Sequence, residues 1–199
     1  MTGVELKIAT ASLMAALKMR DEGTHDHSER AARVSALLGQ RMRLDAAQRS
    51  ALYYGAILHD IGKISIFDHI LKKEGPHTSA ECLHMRRHVR AGADALSSLG
   101  FPSEIIATVL EHHERVDGRG YPFGLKDTEI SLLARIVSVA DTFDAITHTR
   151  CYRAGRSYQA AVLVLERERG RQLDAGVVEA FLAIDPEELR RAAWAESGR

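Results

Sequence analysis

The run Ile57–Lys63, ILHDIGK, closes an apolar helical segment with an imidazole and a carboxylate side by side, His59 and Asp60. In a helical register Ala51, Gly55 and His59 share one stripe, and Leu52, Ala56 and Asp60 the next. Both stripes are small or apolar, and a carboxylate buried there is costly unless it is paired or holds a cation. The same misfit recurs. In IIATVLEHHE, His113 shares a stripe with Val109 and His112 lies one position round. In LARIVSVADTFDAI, Asp141 shares a stripe with Ala134, Val137, Ser138 and Ala145. His27 opens another helical segment and His88 lies inside a further one. Singly, each has a plain structural explanation: a helix-terminal His59 with an exposed Asp60, core-edge imidazoles at 112 and 113, an Asp141 satisfied by Arg135.

Together His27, His59, Asp60, His88, His112, His113 and Asp141 form a set of nitrogen and oxygen ligands without thiolate. That set suits manganese, iron, zinc or similar ions. Seven ligands are too many for one ion and suit two, with one carboxylate bridging, as helical bundles build dinuclear sites from facing helices. Two close ions hold a shared hydroxide as nucleophile and neutralise a phosphate under attack, so the chemistry expected is phosphoester hydrolysis. Oxygen chemistry on a di-iron site is the alternative from the same ligands.

The elements that must position these residues read as helix after helix, an all-α bundle with extra N-terminal helices and a C-terminal helical tail. The pattern predicts helices over 4–20, 26–40 (opened by Asp26 or Ser28), 45–61 (capped by Asp45), 78–99 (ended by Gly100), 102 to about 116, and 128–147. Shorter helices are expected over 157–170, 175–183 and 186–195. Two loops interrupt them, 62–76 and the glycine-rich 117–127, DGRGYPFGLKD. No repeat or linker divides the 199 residues, so a single domain over 1–199 is expected, with its core at about 25–150.

Lys+Arg and Asp+Glu both count 27, giving a formal net charge of +0. This excludes a general electrostatic footprint for a nucleic-acid polymer or an anionic membrane. Two cysteines, Cys82 and Cys151, make no disulfide framework, and neither a signal peptide nor a membrane-length apolar run is expected from the sequence. A cytoplasmic setting is the expectation.

Read in order, HS (27–28), HDIGK (59–63), HVRAG (88–92), HHERVDGRGYPFGL (112–125) and ARIVSVADTFDAIT (134–147) resemble the HD-GYP family, a branch of the HD metal-dependent phosphohydrolases. The resemblance spans roughly residues 6–182. It implies hydrolysis of cyclic di-GMP to linear pGpG, and further to GMP in some cases, by a metal-bridging hydroxide. It implies a bridging role for Asp60, one ion held by His27, His59 and Asp141, and a second held by His88, His112 and His113. Iron or manganese is the expected metal. Lys63 resembles the lysine that neutralises the scissile phosphate, Arg150 and Arg153 the phosphate-contacting pair, and Tyr121 the tyrosine that packs against a guanine.

The chain departs from the family in places. Members with three metals carry a glutamate four residues before the first histidine; here that position is Gly23, so two ions are expected, with His25 as an alternative ligand. Asp127, Ser131 and His148 replace a Gly, a Pro and a small Ser, which keeps open a weakly catalytic sensor or a module whose loop docks a diguanylate cyclase. Another HD-type nucleotide phosphohydrolase is a further alternative. A homodimer through the N-terminal helices is expected from the apolar Leu13 and Met14.

Overall fold

The computed structural model describes residues 1–148 and 155–194. Eleven α-helices carry these residues: α1 Gly3–Arg20, α2 Glu22–Arg41, α3 Ala46–Leu58, α4 Asp68–Leu71, α5 Ser79–Met85, α6 His88–Ser98, α7 Ser103–Glu111, α8 Leu132–Thr147, α9 Tyr158–Glu168, α10 Ala175–Leu182 and α11 Pro186–Trp194. Two short 3-10 turns, Ile61–Ser65 and Asp127–Glu129, complete the order, and among the described residues there is no sheet. The fold is all-α, as the periodicity predicts.

Helix starts follow side-chain caps. Thr2 with Glu5, Asp45 with Gln48, and Thr78 with Glu81 form reciprocal capping boxes, and Ser131, Ser157 and Asp174 accept from the first turns of α8, α9 and α10. Gly100, at φ +74°, follows the end of α6.

α2, α3 and α8 form the centre. α2 packs against α1, α3, α8 and α11, and α7 fills the space between α3, α6 and α8. One apolar cluster runs from Met14 to Ala193 through Leu38, Leu52, Leu58, Val109, Val137, Phe143 and Phe181. Small residues let the backbones close up where the site forms. A Cβ on Gly62 would meet the His88 carbonyl oxygen at 1.9 Å, so the turn after α3 lies directly on the start of α6.

Several boundaries differ from the sequence reading. α2 begins at Glu22, four residues earlier than expected, with Asp21 rather than Asp26 or Ser28 at its N-cap. The stretch 78–99 is two helices, broken at Arg86 and Arg87, although its periodicity is helical throughout. Residues 62–76 contain a 3-10 turn and α4, and α7 stops at Glu111, leaving His112 as its C-cap. Leu13 and Met14 are not an exposed pair: Met14 is buried and Leu13 packs on the core, while Val4, Ile8 and Met19 face outward. Among the described residues no helix is long and apolar enough to cross a membrane.

Candidate metal centre

His59, His88 and His112 sit where a helix begins or ends. His59 is the C-cap of α3 and its Nδ1 donates to the Ala56 carbonyl at 2.7 Å. His112 caps α7 and donates from Nδ1 to Val109 O at 2.8 Å. His88 is the first residue of α6, and its Nδ1 reaches back across the helix break to Met85 O at 2.8 Å. The break is therefore what aims His88. In all three rings the carbonyl three residues back fixes the tautomer, leaving the Nε2 lone pair facing inward.

His27 is held differently. Its Nδ1 donates to Asp144 Oδ2 at 2.6 Å, and its Nε2 lies 3.0 Å from Asp141 Oδ1. Asp60 is 2% exposed and reaches both sides. Its Oδ2 is 3.8 Å from His27 Nε2 and 3.4 Å from His59 Nε2, whereas its Oδ1 is 3.2 Å from His88 Nε2. Two groups of ligand atoms result, each within 4.8 Å of one another: Asp60, His88, His112 and His113; and His27, His59 and Asp60. Asp60 belongs to both. The structure thus brings all seven sequence-predicted ligands to one place, with Asp141 joined through His27.

Electrostatics and satisfaction favour a cation there. His59 Nε2, His88 Nε2, His112 Nε2 and Asp60 Oδ1 are buried without a hydrogen-bond partner. Orphaned acceptors of this kind are costly in a dry interior, and a divalent ion satisfies them at once. Burial lowers the pKa of His88, pushes His113 down to about 3 and holds His112 well below the usual imidazole range, which keeps these rings neutral and ready to ligate. Burial alone would raise the Asp60 carboxyl, but the Lys63 ammonium, 2.6 Å from Oδ2, together with His59 and His88 outweighs it and holds Asp60 well below the ordinary carboxylate value. Burial alone would lower His27; hydrogen bonds to Asp141 and Asp144 prevail and raise it to about 9.

Tyr121 stacks on His113, ring centroids 4.9 Å apart, and the Arg86 guanidinium lies 4.8 Å from the centre of its ring. The two residues His113 and Tyr121 line two cavities. One, of about 350 Å³, also meets Arg86, Arg119 and Asp141; the other, of about 520 Å³, meets His27, Lys63, Lys73 and His88. Arg150 and Arg153 lie outside the described residues. His25 pairs with Asp26 at 2.9 Å and belongs to neither ligand group. Arg135, the sequence-level partner for Asp141, instead binds Asp174.

Sequence reasoning missed Asp144, Arg30 and Glu114. Asp144 follows Asp141 by three residues and Arg30 follows His27 by three, so each shares a helical face with a ligand; that spacing was the available signal. Glu114 is buried and accepts the backbone N–H groups of Phe123, Gly124 and Leu125, tying the 117–127 loop beside His113.

A family model described as the HD domain matches residues 11–177. The chain belongs to this HD-domain family. Among curated relatives, this HD domain is 40% identical over 174 residues to a cyclic di-GMP phosphodiesterase response regulator from Xanthomonas campestris, covering 85% of this chain and 46% of that protein. It is 39% identical over 170 residues to a cyclic di-GMP phosphodiesterase from Thermotoga maritima, covering 84% and 46%. Those names agree with the HD-GYP resemblance. The chain spans about half the length of these relatives. A crystal structure of a cyclic GMP-AMP specific phosphodiesterase from V. cholerae has the same fold, with a TM-score of 0.70 at 19% identity over 92% of this chain and 50% of that one.

Proposed function

We propose that this HD domain, one domain over 1–199, is a metal-dependent phosphodiesterase that hydrolyses cyclic di-GMP to pGpG. The observation that carries the reading is Asp60, whose two oxygens face two separate groups of imidazoles while Oδ1 and three Nε2 atoms have no other partner. His27, His59, Asp60 and Asp141 would hold one divalent ion, and Asp60, His88, His112 and His113 a second, with iron or manganese suited to this donor set. Gly23 offers no third set of ligands. Two ions so held would supply Lewis acidity at a phosphate and would acidify a water.

The chain's own groups do the rest. Lys63 stands beside Asp60 with its ammonium able to take charge developing on the phosphate oxygens. His88, His112 and His113, whose pKa values burial lowers, carry no proton that would compete with a ligand. Tyr121, already stacked on His113, presents a ring at the wall of both cavities where a guanine can pack. Arg150 and Arg153 are assigned to the phosphates on the resemblance alone. A cytoplasmic setting, docking of a diguanylate cyclase on the 117–127 loop, and a homodimer through the exposed Val4, Ile8 and Met19 face belong to the same proposal. A monomeric mass in solution removes the last.

The test is metal analysis of anaerobically purified protein beside a cyclic di-GMP assay with manganese or ferrous iron. About two ions per chain and activity that disappears in Asp60→Ala support the reading. Bound but intact nucleotide turns the assignment to a sensor, and hydrolysis of cyclic GMP-AMP in preference redirects the substrate.

A further inference from the structure

Asp144 is filled to capacity. Its side chain is 1% exposed and receives two donors on each oxygen. Oδ1 accepts from Arg30 Nε at 2.7 Å and pairs with His148 Nδ1 at 2.9 Å, a nitrogen that also lies 3.2 Å from Thr147 Oγ1; Oδ2 accepts from Arg30 Nη2 at 3.1 Å and His27 Nδ1 at 2.6 Å. A carboxylate offers about four acceptor sites, so all are taken and its orientation is set. His148 in turn stacks at a tilt on Trp194, ring centroids 4.9 Å apart. Trp194 sits on α11, whose Leu189 and Ala193 are buried and whose Ala192 carbonyl accepts from Arg33 Nε of α2 at 2.8 Å. α11 lies wholly beyond the residues matched by the HD-domain model.

This sets His27 apart from its neighbours. His59, His88 and His112 are aimed by carbonyls three residues back, a local device independent of the rest of the fold. His27 is aimed by a carboxylate on another helix, itself braced by a residue that rests on the C-terminal helix. We propose that His148 and Trp194 are positioning residues for one half of the metal centre: through Asp144 they hold His27, so α11 tunes the ion bound by His27, His59 and Asp141 and leaves the other ion alone. The inference rests on the two-ion reading. It also gives a role to His148, a residue that departs from the small side chain usual there.

The experiment titrates the metal-free 199-residue chain with Mn²⁺ by calorimetry and counts bound ions by electron paramagnetic resonance. Variants are His148→Ala, His148→Asn and Trp194→Ala, with thermal unfolding of each metal-free form as the control for folding. Asn places an amide donor where Nδ1 stands. In His148→Ala one of two binding steps weakens on the order of tenfold, the scale of an outer-sphere loss, while the other step is unchanged. His148→Asn restores the weakened step, and Trp194→Ala weakens the same step as His148→Ala. If His148→Ala does not fold, the Asn and Trp194 variants carry the test. Two normal steps in Trp194→Ala and His148→Ala, with two in the wild type, overturn the inference and leave the two-ion reading standing. Equal weakening of both steps, or no recovery with Asn, also overturns it. A wild type that takes no ion overturns both.

Discussion

Glu114 Oε1 accepts the backbone N–H of Phe123 at 2.6 Å, and the same side chain accepts from Gly124 at 3.2 Å and Leu125 at 3.1 Å. One buried carboxylate thereby replaces the secondary structure that this loop lacks. Glu114→Ala leaves three N–H groups without that partner. Each buried orphan costs about 1–3 kcal/mol, so the variant is expected to lose about 3 kcal/mol of stability after water has reached part of the loop. Its Mn²⁺ stoichiometry stays at the wild-type value, while affinity for cyclic di-GMP falls. Chemical unfolding, metal analysis and nucleotide binding check the three statements.

Gly62→Ala places a methyl group 1.9 Å from the His88 carbonyl oxygen and 2.5 Å from the Gly92 nitrogen. Both are backbone, so the turn carrying Asp60 must separate from α6. A loss of about 3 kcal/mol or more is expected, together with reduced metal uptake because Asp60 Oδ1 draws away from His88. Retention of wild-type stability and ion content contradicts the close approach.

Lys63→Met keeps the apolar stem and deletes the ammonium 2.6 Å from Asp60. Under the proposed function kcat drops on the order of 10²-fold, with bound metal retained. Single-turnover hydrolysis beside metal analysis separates the two. Loss of metal in parallel with rate would make Lys63 a structural partner of Asp60 only.

In the metal-free protein His27 titrates at about 9 instead of 6.5, because Asp141 and Asp144 outweigh the effect of burial. A folded-state value raised in this way gives the apo protein stability that is full below about pH 6.5 and is lost as pH rises through about 9. Metal ligation needs the neutral ring, so binding at pH 7.5 expels a proton and apparent affinity climbs with pH until about 9. Melting of chelator-treated protein across pH 6–10 should show the decline, and Mn²⁺ calorimetry in two buffers should show the released proton. An apo melting temperature flat over that window, without proton release, refutes the assignment of His27.

The candidate ligands were legible because a polar residue on an apolar stripe is an anomaly visible in one dimension: His59, Asp60, His113 and Asp141 each break a pattern. The caps at Asp45 and the stop at Gly100 were legible for the same local reason. The break before His88 was not, since apolar spacing continues across Arg86 and Arg87 and only contact with Gly62 shows where α6 must start. Asp144 and Glu114 read as ordinary helix charges. Their roles depend on partners brought by the fold, His27 from 117 positions away in one case and three loop amides in the other. Leu13 and Met14 were misread because a helix with apolar residues on several sides does not announce which side is covered.

The three carbonyls that aim His59, His88 and His112 belong to the C-terminal turns of α3, α5 and α7. Each helix ends at the same point, and a helix C-terminus carries the equivalent of about half a negative elementary charge. The side chains alone count Asp60 and Asp141 against Lys63, a modest excess for two divalent ions. The last turns of α3, α5 and α7 add negative potential there, and the first turn of α6, which begins at His88, offsets part of it. Once His27 has lost its proton, the remaining negative field opposes a phosphodiester approaching the metal-free centre. Order of binding follows from it: cations first, which reverse the sign of the potential, and the anionic substrate only afterwards.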